Sequence, residues 1–193
     1  FNYRNNELFC EDVRVLDLTK KFRTPFYLYS AKTITDHYEK LRSAFADIEP
    51  LICFSVKSNS NLSILRLLRK RGCGFDIVSG GELFRVKKAG ADMNKVVYAG
   101  VGKTDSEIEF ALRSKIFMFN CESLSEIHRI NEIAKNLKTK ARIAIRINPD
   151  VQPHTHKHIT TGKAETKFGI PLSMLNDVAK AASHFRNIIF EGI

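Results

Sequence analysis

No apolar run among these 193 residues approaches the ~20 that a membrane-spanning helix needs. The opening stretch FNYRNNELFCEDVR lacks the basic-then-apolar order of a signal peptide, so a cytoplasmic protein with no membrane partner is expected. The four cysteines, at positions 10, 53, 73 and 121, are too far apart for a CxxC metal or redox pair. They read as packing residues in a reducing compartment. No GxGxxG follows the first candidate strand, which weakens a dinucleotide-binding reading. GVGKTDSE, at 100 to 107, lacks the GxxxxGK spacing of a phosphate-binding loop despite its Lys103-Thr104 pair.

Acidic charge is also in short supply: 31 Lys and Arg stand against 21 Asp and Glu, a formal net charge of +10. Such an excess favours nucleic acid only where it is clustered. Here the basic residues are spread over helix-like segments such as LRLLRKR and EFALRSK, interleaved with acids, and no nucleic-acid-binding signature accompanies them. A solvated basic surface is expected, with no nucleic-acid partner.

What is present is enough apolar residue to build a core, at 44% of the chain, and a strong rhythm. Short apolar runs at 51–57, 74–78, 95–99, 116–119, 141–148 and 187–191 read as strands. Amphipathic segments fill the gaps. Asn61 to Arg71 stops at Gly72 and Gly81 to Ala89 stops at Gly90, as helices do. Thr104 with Glu107, and Ser123 with Glu126, have the spacing of capping boxes. Strands and helices that alternate in this way specify a parallel sheet, either open and doubly wound or closed as a (β/α)₈ barrel. A complete barrel takes ~250 residues, so on the barrel reading six of eight βα units are expected here.

The run LICFSVK ends on a lysine. If the strand runs through it, Lys57 shares a face with Ser55, Cys53 and Leu51, at the strand's carboxyl end. Two readings stand. Either it is a snorkelling lysine where the strand meets water, or its amine lies in low-dielectric surroundings that make the neutral, nucleophilic form accessible. After Asn148 comes a long stretch, PDVQPHTHKHITTGKAETKFGIP, with the length of a lid or binding loop. His154, His156 and His158 suit one face of an extended strand and have no acidic or cysteine partner nearby, so no metal is expected.

Seven stretches occur in order: TPFYLYS (24–30), CFSVKSN (53–59), GFDIVSGGEL (74–83), YAGVGKTD (98–105), RINPDV (146–151), HTHKHITTG (154–162) and KFGIP (167–171). Together they resemble the diaminopimelate decarboxylases, pyridoxal-phosphate enzymes of the fold-III group shared with ornithine decarboxylase and alanine racemase. The resemblance implies a barrel of that group over 31–193, with residues 1–30 packing on a C-terminal β domain absent from this stretch of chain. It implies that Lys57 carries pyridoxal phosphate covalently, that Asp76 lies close to the cofactor, and that Arg146 lies beside its ring. Residues 154–162 and 167–168 would form an active-site loop. The implied reaction removes carbon dioxide from meso-diaminopimelate to give L-lysine, in a homodimer with shared sites, and these 193 residues alone would be inactive. The alternatives are a related fold-III enzyme acting on ornithine- or arginine-type amino acids and a non-catalytic pyridoxal-phosphate-binding paralogue. Phe54, Ser55 and Ser58 replace the tyrosine and alanines common around the lysine, and Lys157 and His158 replace proline and tyrosine.

Overall fold

The computed structural model describes residues 1–149 and 168–193. The chain divides into two compact units, Phe1–Pro50 and Leu51–Ile193. The first opens with three short antiparallel strands, β1 (Asn2–Arg4), β2 (Glu7–Cys10) and β3 (Val13–Arg14). Arg4 pairs with Glu7, so Asn5-Asn6 is a two-residue hairpin loop, and both asparagines have positive φ (49° and 63°). That is the backbone a primed hairpin turn demands, and asparagine tolerates it. Helices α1 (Val15–Lys21) and α2 (Ala31–Ala44) follow. Ser30 caps α2 by accepting the Thr33 N–H at 3.0 Å, and its own hydroxyl donates to Glu11.

The second unit holds a six-stranded parallel sheet: β4 (Cys53–Ser55), β5 (Gly74–Ile77), β6 (Val96–Tyr98), β7 (Met118–Cys121), β8 (Ala141–Ile145) and, at the far edge, β11 (Ile188–Gly192). A further parallel pair is made by β9 (Ile147–Asn148) and β10 (Ile170–Pro171). Between the strands run α3 (Leu62–Lys70), α4 (Gly80–Lys88), α5 (Asp105–Ser114), α6 (Leu124–Asn136) and α7 (Leu175–Ser183). The six strands lie side by side in chain order. A doubly wound sheet reverses its order at a switch point, whereas a barrel never does, so the barrel alternative is the one adopted. The expected architecture, about six βα units of a (β/α)₈ barrel, is therefore borne out.

Register explains how the two faces divide. Ser55, Asp76 and Val97 occupy one rung, and Asn120 pairs with Ala144; these residues share the face that carries small and polar side chains. Phe75, Ile77, Tyr98, Phe119, Ile143 and Ile145 alternate with them and are fully buried. They meet the apolar stripes of the helices, such as Leu65 and Leu68 of α3, Leu83 and Val86 of α4, and Ile127 and Ile130 of α6. Parallel strands buried under helices read as near-continuous apolar runs, which is why the rhythm was visible. Gly74 has no room for a side chain: a Cβ there would lie 2.5 Å from the Lys95 carbonyl oxygen and 2.8 Å from the sulfur of Cys53.

Candidate active site

The strand that carries Lys57 is shorter than expected. It ends at Ser55, and Val56–Ser58 form a single 3₁₀ turn, so the alternation of side chains stops before the lysine. The turn is tightly tied. Val56 is fully buried, the Ser58 hydroxyl donates to the Ser55 carbonyl at 2.6 Å, and the Asn59 N–H donates to the Val56 carbonyl at 3.1 Å. Asn59 accepts from the Asn61 N–H, and Asn61 then caps α3 by accepting from Ser63. Lys57 is thus fixed at its backbone, and the residue is exposed.

Asp76 sits one rung across from Ser55, whose hydroxyl donates to its Oδ2 at 3.1 Å. Its Oδ1 is buried and has no partner among the described residues. Burial pushes the Asp76 carboxyl above its ordinary range, while the Ser55 hydrogen bond and the charges of Lys57, Arg146 and Lys103 pull it down. Arg146 stands between β8 and β9, where the ladder is interrupted, and Ile145, Arg146 and Ile147 all line the cavity. Its N–H donates to the Cys121 carbonyl, and its guanidinium lies 4.8 Å from the centre of the Phe168 ring.

Lys57, Asp76, Arg146 and Phe168 all line one cavity of about 630 Å³, together with Val97, Gly100 and Asn120. It opens where the parallel strands end. In barrels this carboxyl-terminal face is where reacting groups gather. Of the loop expected to close over substrate, Phe168 reaches the cavity, while 154–162 and Lys167 lie outside the described residues.

Two features escaped the sequence reading. Glu122, buried at the end of β7, accepts from Arg146 Nη1 at 3.2 Å and from the Gly169 N–H at 3.0 Å. Lys103, the residue that mimicked a phosphate-binding loop, is instead an internal tie: it donates to the Gly100 and Asn120 carbonyls and to Glu126. The SGGE stretch builds a helix start, with Ser79 accepting the Glu82 N–H and Gly80 donating to Glu107. Ser123 and Glu126 form only half of the expected capping box, because the Glu126 carboxylate turns to the Glu122 N–H and to Lys103. Burial pushes the thiols of Cys53 and Cys73 up, to about 12 and about 11, as packing residues require.

Residues 31–193 match the family described as pyridoxal-dependent decarboxylase, pyridoxal binding domain. The chain belongs to this family. It is 47% identical over 193 residues to the diaminopimelate decarboxylase of Haemophilus influenzae, covering 100% of this chain and 46% of that protein. The diaminopimelate decarboxylase of Aquifex aeolicus is 48% identical over 191 residues, covering 99% of this chain and 45% of its own. The chain thus spans about half the length of the curated relatives it matches. Among solved structures it is similar to the diaminopimelate decarboxylase of M. jannaschii in co-complex with L-lysine, with a TM-score of 0.91 and 36% identity over 99% of this chain and 46% of that one. The Helicobacter pylori enzyme complexed with L-lysine gives a TM-score of 0.88 and 39% identity, over 92% of this chain and 46% of that one. Among the described residues no helix is long and apolar enough to cross a membrane.

Proposed function

We propose that this chain is the cofactor-binding part of a decarboxylase that uses pyridoxal phosphate to convert meso-diaminopimelate into L-lysine. The observation that carries the reading is the convergence of Lys57, Asp76 and Arg146 on one cavity at the carboxyl ends of a parallel sheet. The residues suit the group. Lys57 offers an amine for an aldehyde, Arg146 offers a fixed cation, and the buried, unpartnered Oδ1 of Asp76 is an acceptor in want of a donor. When bound, the cofactor supplies the electron sink that takes up the electron pair left as carbon dioxide departs.

This chain's own residues supply attachment and orientation. The turn at 56–58 fixes the point from which Lys57 reaches the cavity, and its exposure leaves the amine accessible to an incoming aldehyde or to displacement by a substrate amine. Asp76, paired with Ser55 on one oxygen only, holds a carboxylate in a low-dielectric wall where a cationic group opposite it would be favoured. The names of the relatives above support the substrate.

The test uses the protein as encoded, supplied with pyridoxal phosphate. It should show a visible absorption band, borohydride should fix the cofactor on the peptide containing Lys57, and Lys57→Ala should abolish both the band and lysine formation from meso-diaminopimelate. Fixation on a different peptide would refute the lysine assignment. Turnover of ornithine in preference to meso-diaminopimelate would refute the substrate.

A further inference from the structure

The proposed reaction leaves Glu122 without a task, yet its side chain is only 3% exposed while that of its partner Arg146 is 39% exposed. A carboxylate so enclosed needs partners for both oxygens. Oε1 accepts from Arg146 Nη1 at 3.2 Å, and Oε2 accepts from the Gly169 N–H at 3.0 Å. The acid is itself held from behind, since its own N–H donates to Glu126 Oε2 at 2.8 Å. The Arg146 backbone is pinned by its own N–H, which donates to the Cys121 carbonyl, and the Phe168 ring lies below its guanidinium.

The close seat of Gly169 reinforces the clamp. Its φ is +78°, and a Cβ there would lie 3.0 Å from the Asn148 nitrogen and 3.1 Å from the Arg146 carbonyl oxygen. One carboxylate therefore joins the end of β7, the bend between β8 and β9, and the entry to β10. A free arginine samples many rotamers, and freezing it costs binding energy unless the protein has done so beforehand. The exposed part of the guanidinium faces the cavity while the buried acid fixes the rest.

We propose that Glu122 is a positioning residue that sets the Arg146 guanidinium at the cavity wall before any ligand arrives. Its functional consequence rests on reading the cavity as a pyridoxal-phosphate site, so two readouts are used. In cofactor-free protein, phenylglyoxal modification of Arg146, followed by peptide mass mapping, should run several-fold faster in Glu122→Gln than in wild type, relative to exposed arginines of the same molecule. In titrations with pyridoxal phosphate, followed by the visible band, Glu122→Gln should raise the half-saturating concentration roughly tenfold, the usual scale of a lost charge-assisted hydrogen bond. In an Arg146→Gln background the same substitution should add less than twofold.

An unchanged modification rate at Arg146, or full additivity with Arg146→Gln, would overturn the proposal. Should Glu122→Gln not fold, Glu122→Asp, which keeps the charge but withdraws it by one methylene, carries the same readouts with a smaller effect. A wild-type protein with no visible band would overturn the reading of the cavity instead, and the phenylglyoxal rates would still decide whether Glu122 holds Arg146.

Discussion

Replacing Lys103 by methionine removes a charge that the fold has enclosed almost completely. Its side chain is 1% exposed, that of its partner Glu126 is 13% exposed, and its ammonium donates at 2.7 Å to the Gly100 carbonyl, 3.0 Å to the Asn120 carbonyl and 2.5 Å to Glu126. Methionine fills a similar volume but has no donor. The substitution strands a carboxylate and two carbonyl oxygens, and breaking a buried pair from one side costs roughly 3–5 kcal/mol. Glu126 keeps its hydrogen bond from the Glu122 N–H, so the lower end, about 3 kcal/mol, is expected. For a chain of this size that lowers Tm by roughly 6–12 °C. The assay is thermal and urea unfolding of cofactor-free protein followed by circular dichroism. Adding Glu126→Gln to Lys103→Met removes the stranded charge and should restore about half of the loss. The loss should hardly vary with salt, because a buried pair is poorly screened. Since Gly100 and Asn120 line the cavity, affinity for pyridoxal phosphate should fall as well. A Lys103→Met protein within about 1 kcal/mol of wild type would refute the reasoning, because the tie would then add nothing to what packing already supplies.

The Asp76 carboxyl is raised by burial, so its protonated form is favoured in the fold; the stability this contributes is full below the unfolded pKa of about 3.9 and is lost as pH rises through the folded value. Asp76→Asn should therefore gain on wild type in urea unfolding of the cofactor-free protein as pH is raised from about 4 to 7, while its half-saturating pyridoxal phosphate concentration rises; a gap that is flat or that closes with pH would count against it. The resemblance to the diaminopimelate decarboxylases also implies a homodimer with shared sites, and light scattering of the active protein should give twice the protomer mass. Full activity at the monomer mass would exclude that assembly.

The alternation of strand and helix was legible because both signals are local: strands buried under helices are largely apolar, and the helices carry their own stops at Gly72 and Gly90, both with positive φ. The end of the first barrel strand was not. Val56 is as apolar and as buried as a strand residue, but its burial anchors a 3₁₀ turn, and hydrophobic pattern reports burial without reporting which backbone groups are paired. The strands of the first unit were missed for a related reason. They are two to four residues long and only Cys10 among them is buried, so they have almost no apolar pattern, and only the Asn5-Asn6 pair marks their turn. Lys57 could be picked out because it ends an apolar run, and Asp76 and Arg146 because each lies in a stretch that resembles the decarboxylase family. Glu122 could not, since its partners lie 24 and 47 residues further along the chain.

Yet part of that long-range geometry is written in short-range spacing. Glu82, Glu107 and Glu126 each occupy the third position of a helix behind a Ser or Thr cap, and each returns its carboxylate to a backbone N–H before the helix: Val78 at 2.8 Å, Thr104 at 3.0 Å and Glu122 at 2.8 Å. Those N–H groups belong to the turns between strand and helix, which in a barrel bear the reacting groups. Glu107 extends the pattern by taking the Gly80 N–H of the neighbouring turn as well, a bond that holds its carboxyl below the usual range. A residue that starts a helix in the sequence therefore also stiffens a rim residue in the fold. Glu126 carries this furthest: one oxygen takes the Lys103 ammonium, the other fixes the backbone of Glu122, and Glu122 in turn holds Arg146 at the cavity. The chain of contacts from a helix cap to the candidate site is thus three side chains long. Its first link is the only one that residue spacing alone could disclose.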